Sequence, residues 1–357
     1  MIINKTINIS VAIVLLLCIQ SANAEKGKKN TAVSGTDTAQ NANDSVLGFG
    51  FLKRIPGQWS GPVFSSTPAG SFKDWHVDFR PVSAGQVSQY STLDADTVNS
   101  ISFFIVKHGN RLKVAMRTEW IFQHKGCVTY EAIDTVRESE GYYKFSDFQA
   151  GIQRVYTEFI FKDTSMTMKV YTNKFNKVSP LQLHSKWDAV LGGRTAASEA
   201  ISKFGFPRPV MVKDFSTVFN NMSESIYFSF EKDPYPSSAI PYMGNVTVNI
   251  SIDGGVPVRN GNEIFLLLTT ESLFDGLRLK KDYQKHFSRF VYLPAGAKSY
   301  TFNNVHPGKY YVNSYIDINN DKKHTRGDYM SSETDNTVLL GEKGSSAINT
   351  KIDFLIP

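Results

Sequence analysis

The chain has 357 residues, with 39 Lys and Arg against 33 Asp and Glu, for a formal net charge of +6 at neutral pH. The basic residues are scattered apart from Lys26-Gly27-Lys28-Lys29, so the sequence offers no concentrated basic face for nucleic acid. Cysteine is confined to Cys18 and Cys127, which excludes a disulfide framework, and the 13% aromatic content must supply the cores instead.

Lys5, the apolar run from Val11 to Ile19 and the small residues of Ala22-Asn23-Ala24 have the layout of a cleavable secretory leader, expected over residues 1–24. The run is too short to cross a bilayer, which takes about 18 or more apolar residues. Cleavage after Ala24 removes Lys5, lowers the net charge from +6 to +5 and leaves Cys127 alone. A lipoprotein anchored through Cys18 is the minor alternative, because Leu17 stands where that signal usually has a small residue. The mature chain is expected in the periplasm or outside the cell, without a transmembrane segment. Residues 25–45 are polar and nearly free of large apolar groups. Such a stretch buries too little surface to offset its ordering entropy, and a disordered tether is expected there.

From residue 46 the hydrophobic period becomes two. Trp75, Val77 and Phe79 alternate with Asp74, His76 and Asp78; Val114, Met116 and Trp120 oppose Arg117 and Glu119. Val128, Tyr130, Ala132 and Val136 repeat the pattern, as do Met166, Met168, Val170 and then Leu181, Leu183, Trp187. Alternation of this kind predicts strands with one face buried and one wet. On that reading His76 and His184 lie on the solvent side. Gly109-Asn110, Lys125-Gly126, Glu140-Gly141, Lys162-Asp163 and Asn176-Lys177 punctuate the runs as turns. The result is an antiparallel meander over residues 46–205, which removes its exposed edges most easily by closing into a barrel.

Arg194 to Phe204 is the one helical stretch, ended by Gly205 and followed by Pro207 and Pro209. Residues 206–222 are expected to be a linker. Short strands return over 223–357, among them Ile226 to Phe230, Val246 to Ile252, Phe290 to Leu293 and Tyr310 to Ile316. Ile264 to Leu268 is continuously apolar, as for a strand covered on both faces. About seven such strands suggest a β-sandwich. The expected fold class is therefore all-β, a closed meander followed by a sandwich.

Two resemblances add to this. Gly57-Gln58-Trp59-Ser60-Gly61 on the first strand, the meander and the helix behind it resemble the lipocalin-like (calycin) architecture. The resemblance implies that Trp59 plugs the closed end of a barrel whose other end admits a small apolar ligand, with Gly57 and Trp59 as structural positions. Phe302-Asn303-Asn304-Val305-His306-Pro307-Gly308-Lys309-Tyr310-Tyr311-Val312 resembles the repeated turn of transthyretin-like and carboxypeptidase-regulatory-like sandwiches. That likeness implies a tight turn at Pro307-Gly308, with Tyr310 and Val312 facing the core.

Directly after this strand, Asp317, Asn319, Asp321, Thr325 and Asp328 place side-chain oxygens at alternate and closing positions of a twelve-residue loop. Calcium takes six to eight oxygen ligands, so Asp317, Asn319, Asp321 and Asp328 are the candidate ligands. Lys322 stands where such loops carry glycine, and Lys323 and Arg326 would weaken binding. The same residues are also ordinary turn formers. No nucleophile elbow, metalloprotease motif, phosphate loop or dinucleotide fingerprint is present, and neither Glu131 nor Asp134 has an obvious partner along its strand.

These observations support an exported, non-enzymatic binding protein. Its barrel would hold a small apolar or amphipathic ligand, and its sandwich would dock to a cell-envelope component. The alternatives are a structural or adhesive envelope protein with a filled barrel, and a hydrolase or isomerase with a dispersed site in the barrel. Large inward side chains throughout would favour a filled barrel, and polar ones at mid-barrel a binding site.

Overall fold

The structure, a computed structural model, describes residues 46–65, 72–94, 97–122, 125–148, 154–173, 180–204, 206, 208–219, 227–228, 233–235, 243–276, 278–281, 283–321, 325–331 and 336–357. The expected leader, Cys18 and the tether lie outside the described residues. Among the described residues no helix is long and apolar enough to cross a membrane.

Strand β1 (Val46–Leu47) and helix α1 (Phe49–Arg54) precede a run of long strands. These are β2 (Gly57–Ser65), β3 (Phe72–Ser83), β4 (Gln86–Asp94), β5 (Thr97–His108), β6 (Arg111–Phe122), β7 (Lys125–Arg137), β8 (Tyr142–Asp147), β9 (Val155–Lys162), β10 (Ser165–Thr172) and β11 (Gln182–Gly193). Each pairs antiparallel with its neighbour in sequence, and β11 returns to β2, with Trp187 opposite Val63 and Leu191 opposite Trp59. The meander is thus a closed ten-stranded barrel. Closure satisfies every ladder edge within one sheet.

At one end the connections are tight turns, and α1 folds inward across them. Gly48 starts α1 at φ +78°, where an added Cβ would lie 2.3 Å from Ile133 Cδ1, so only glycine fits. The helix delivers Phe51 and Leu52, both fully buried, into the barrel. Phe51 meets Phe103, Phe145 and Phe159 edge to face, with centroids 4.7, 5.0 and 5.0 Å away, an arrangement the ring quadrupoles favour. At the other end the connections 66–71, 95–96, 123–124, 149–153 and 174–179 lie outside the described residues.

Helix α2 (Thr195–Phe204) follows the barrel. The stretch read as a linker from its prolines runs along the barrel wall. Val212 and Phe215 donate backbone hydrogen bonds to the carbonyls of Ile105 and Lys107, and β12 (Lys213–Asp214) lies parallel to β5. Phe215 and Phe219 join Phe104, Val128 and Tyr130 in a second core outside the barrel. Strand β13 (Tyr227–Phe228) pairs with β7.

The rest of the chain forms β14 (Gly244–Ile252), β15 (Glu263–Thr269), the hairpin β16 (Phe274–Asp275) and β17 (Arg278–Leu279), then β18 (Phe287–Pro294), β19 (Ser299–Val305), β20 (Gly308–Ile316), β21 (Tyr329–Ser331), β22 (Thr337–Leu340) and β23 (Ser345–Leu355). Eight of these make one sheet in the order β18-β15-β20-β21-β23-β14-β19, with β22 on β20. The strands expected as two layers of a sandwich form one sheet curled until its edges, β18 and β19, nearly meet. Arg289 of β18 bridges them, donating from Nη1 to the carbonyls of Asn303 and Asn304 at 2.9 and 3.0 Å. Strand β15 is buried on both faces: Ile264, Leu266 and Leu268 enter the inner core, while Phe265 and Leu267 face the barrel side with Phe287 and Phe290.

That outer face of β18 covers β3. His76 lies 4.7 Å from the Phe287 ring and 5.9 Å from Phe290. Ser288 donates to Asp78, and Thr270 donates to Gln58 Oε1 at 2.8 Å. The face of β3 expected to be wet is therefore buried, because a second body docks on it.

Candidate functional site

Inward positions of the barrel change character along its axis. Trp59 is 1% exposed at the plugged end, and its indole donates to the Ile55 carbonyl at 2.8 Å. Around it lie Phe51, Phe79, Phe103, Tyr143, Phe145, Phe159 and Phe161. Gly57, the other residue of the motif, sits at φ +143° beside Leu191.

One step further from the plug the lining turns polar. Alternation with Ile133 turns Glu131 inward, opposite Met116 on β6 and Asp147 on β8. Thr157 of β9, inward by alternation with Phe159, donates its hydroxyl to Glu131 Oε1 at 3.1 Å. Glu131 Oε2 has no hydrogen-bond partner. Burial pushes this carboxyl up to about 8, against the opposing pull of the Thr157 hydrogen bond. On the opposite arc Gln89 donates to Asn99 at 2.5 Å, both fully buried, and Asn99 Nδ2 is left without a partner.

The wall between these groups carries Trp75 and Trp187, whose rings are 4.6 Å apart. Trp187 is anchored through its indole to the Gly61 carbonyl at 3.1 Å, whereas Trp75 Nε1 has no partner. Inward-facing Trp75, Thr118 and Met168 are only half-buried, so solvent reaches this half.

Sequence periodicity misassigned the faces of β7. Val128 and Tyr130 are buried, but outside the barrel under Phe215 and Phe219, and Glu131 takes the inner face. Tyr130 belongs there to a closed polar set: Arg117 donates to Glu119 and Asp233 at 2.5 Å each, and Tyr130 bonds Asp233. The set ties residues 233–235 to the barrel wall. His184, read as a surface residue, is buried.

In the loop after β20, carboxylate oxygens of Asp317, Asp321 and Asp328 lie within 4.8 Å of one another. Asn319 reaches Asp321 Oδ2 at 3.3 Å. Asp328 already accepts from Tyr315, the Thr325 amide and hydroxyl, and the Ile318 amide, at 2.8 to 2.9 Å. These donors hold its carboxyl below the usual range despite burial. Pro307-Gly308 links β19 to β20, which do not pair with each other. Gly308 sits at φ +150°, Tyr310 and Val312 are buried in the inner core, and Tyr310 donates to the His306 carbonyl at 2.7 Å.

The class these features define is all-β, a closed antiparallel barrel carrying a second, nearly closed sheet. No family model matches the chain, and no curated protein does. Among solved structures, one determination of a pilus-presented adhesin aligns over 83% of this chain and 94% of that chain at 7% identity and a TM-score of 0.21. A second determination of it gives 8% identity and a TM-score of 0.18. Likeness at that level carries no argument about fold or function.

Proposed function

We propose that this is an exported small-molecule binding protein of lipocalin-like design, with the far half of the barrel as its binding site and the second sheet as a docked accessory. The observation that carries this is the change of lining: an aromatic plug around Phe51, then a layer with Glu131, Thr157, Gln89 and Asn99. A barrel evolved only as a scaffold has no use for a fully buried carboxyl with one oxygen unsatisfied, since that group costs stability. The plugged half supports the rival reading, a structural or adhesive envelope protein with a filled barrel. Titrating the protein with neutral naphthalene probes separates them. Saturable quenching of tryptophan emission, reduced by Trp75→Phe, is expected; no saturable change would leave the structural reading. We further assign calcium to the loop of Asp317, Asn319, Asp321 and Asp328, supported by the convergence of its three carboxylates.

A further inference from the structure

Glu131 is an acid without a cation. It is 3% exposed, Oε1 accepts from Thr157 and Oε2 has no partner. The charges that act on it, those of Asp147 and Asp134, are both negative. Asp147 has its own counter-ion, Arg154, whose Nε lies 3.0 Å away. Ionising a buried carboxyl with no opposite charge is costly, so the group waits for a positive one.

The adjoining wall suits the rest of such a ligand. Trp187 pairs in register with Met168, and Met168 with Phe159, one inward step from Thr157. Trp75 lies tilted against Trp187, at 50° between the ring planes, and like Met168 is half-buried. Indole faces attract cations and cover apolar bodies. An anionic ligand would find no opposite charge at Glu131.

Resting on the binding role argued above, we propose that the barrel binds an organic amine, its ammonium on Glu131 and its apolar body against Trp75, Trp187 and Met168. On binding, the Glu131 carboxyl releases its proton to solvent and Oε2 accepts from the ammonium. No covalent bond changes.

The test is calorimetric titration of the full chain with 1-naphthylmethylammonium and its neutral counterpart 1-naphthylmethanol, between pH 6 and pH 8. The ammonium should bind at least ~10-fold tighter than the alcohol at pH 8. Its affinity should fall about 50-fold by pH 6 as Glu131 is reprotonated, while that of the alcohol holds constant. Glu131→Gln keeps the size of the side chain; it should erase both the preference and the pH dependence, leaving alcohol binding intact. Equal affinity for the two probes, or an ammonium preference that survives Glu131→Gln, overturns the amine assignment alone. Binding of neither probe overturns the binding role with it.

Discussion

Ser288 of the second sheet donates its hydroxyl to Asp78 Oδ2 of the barrel wall at 2.9 Å, and the same oxygen accepts from Arg80 at 2.6 Å. One carboxylate thus pins the two bodies together while neutralising a buried guanidinium. Asp78→Ala should destabilise the protein by about 3–5 kcal/mol, because removing one partner strands the other charge in a dry interface. Denaturant unfolding of the full chain measures it; a loss below about 1 kcal/mol would show that water already serves Arg80.

Phe51 reaches the barrel interior from a helix of six residues, so its removal empties the plug without touching the strands. Phe51→Ala should cost about 3–5 kcal/mol with the far-ultraviolet spectrum of the folded state unchanged.

Acid should weaken the interface through His76. Burial between the phenylalanines of β18 lowers its pKa from 6.5 to about 4, opposed by a hydrogen bond with the Gln284 backbone. The unfolded chain therefore binds the proton first, and stability is lost as pH falls from about 6.5 to about 4. Some 3 kcal/mol is at stake. His306, buried beside Arg80 and Arg289 and also held well below its ordinary value, adds to the loss. In His76→Phe the slope over that window should become shallower by about one proton.

Glu131 works in the opposite direction at the alkaline side. Its folded pKa is raised from 4.5 to about 8, so its contribution is present at acid pH and lost as pH rises through that interval. Glu131→Gln should be more stable than the parent at pH 8 by roughly 4–5 kcal/mol, and close to it at pH 4. Equal stability at pH 8 would mean that Glu131 ionises freely in the folded barrel.

Calcium at millimolar concentration should raise the melting temperature, since it binds only the folded loop. Asp321→Ala should abolish the shift, and magnesium should produce little, being reluctant to shed its waters. A melting curve unmoved by calcium would leave Asp317, Asn319 and Asp328 as the caps of a polar turn.

The all-β class, the strand period, helix α2 and the doubly covered β15 were legible in the residues themselves. Alternation, a ten-residue stretch free of β-branched runs and a five-residue apolar block are local signals. The plug was not legible: a six-residue helix at Phe51 shows no period, and only the ring of phenylalanines from three distant strands makes it a core element.

What escaped local reading most completely was which face of a strand is covered. Alternation in β3 separates Trp75, Val77 and Phe79 from His76 and Asp78, and in β7 it separates Val128 and Tyr130 from Glu131 and Ile133. It does not say which side meets water. In β3 both sides are buried, because β18 docks on the outer one; in β7 the aromatic face lies outside, because Phe215 and Phe219 return to cover it. Local alternation sets the strand period, and hence the sheets. Tertiary structure alone decided the coverage, and with it the place of Glu131, because burial depends on segments more than 80 residues away along the chain.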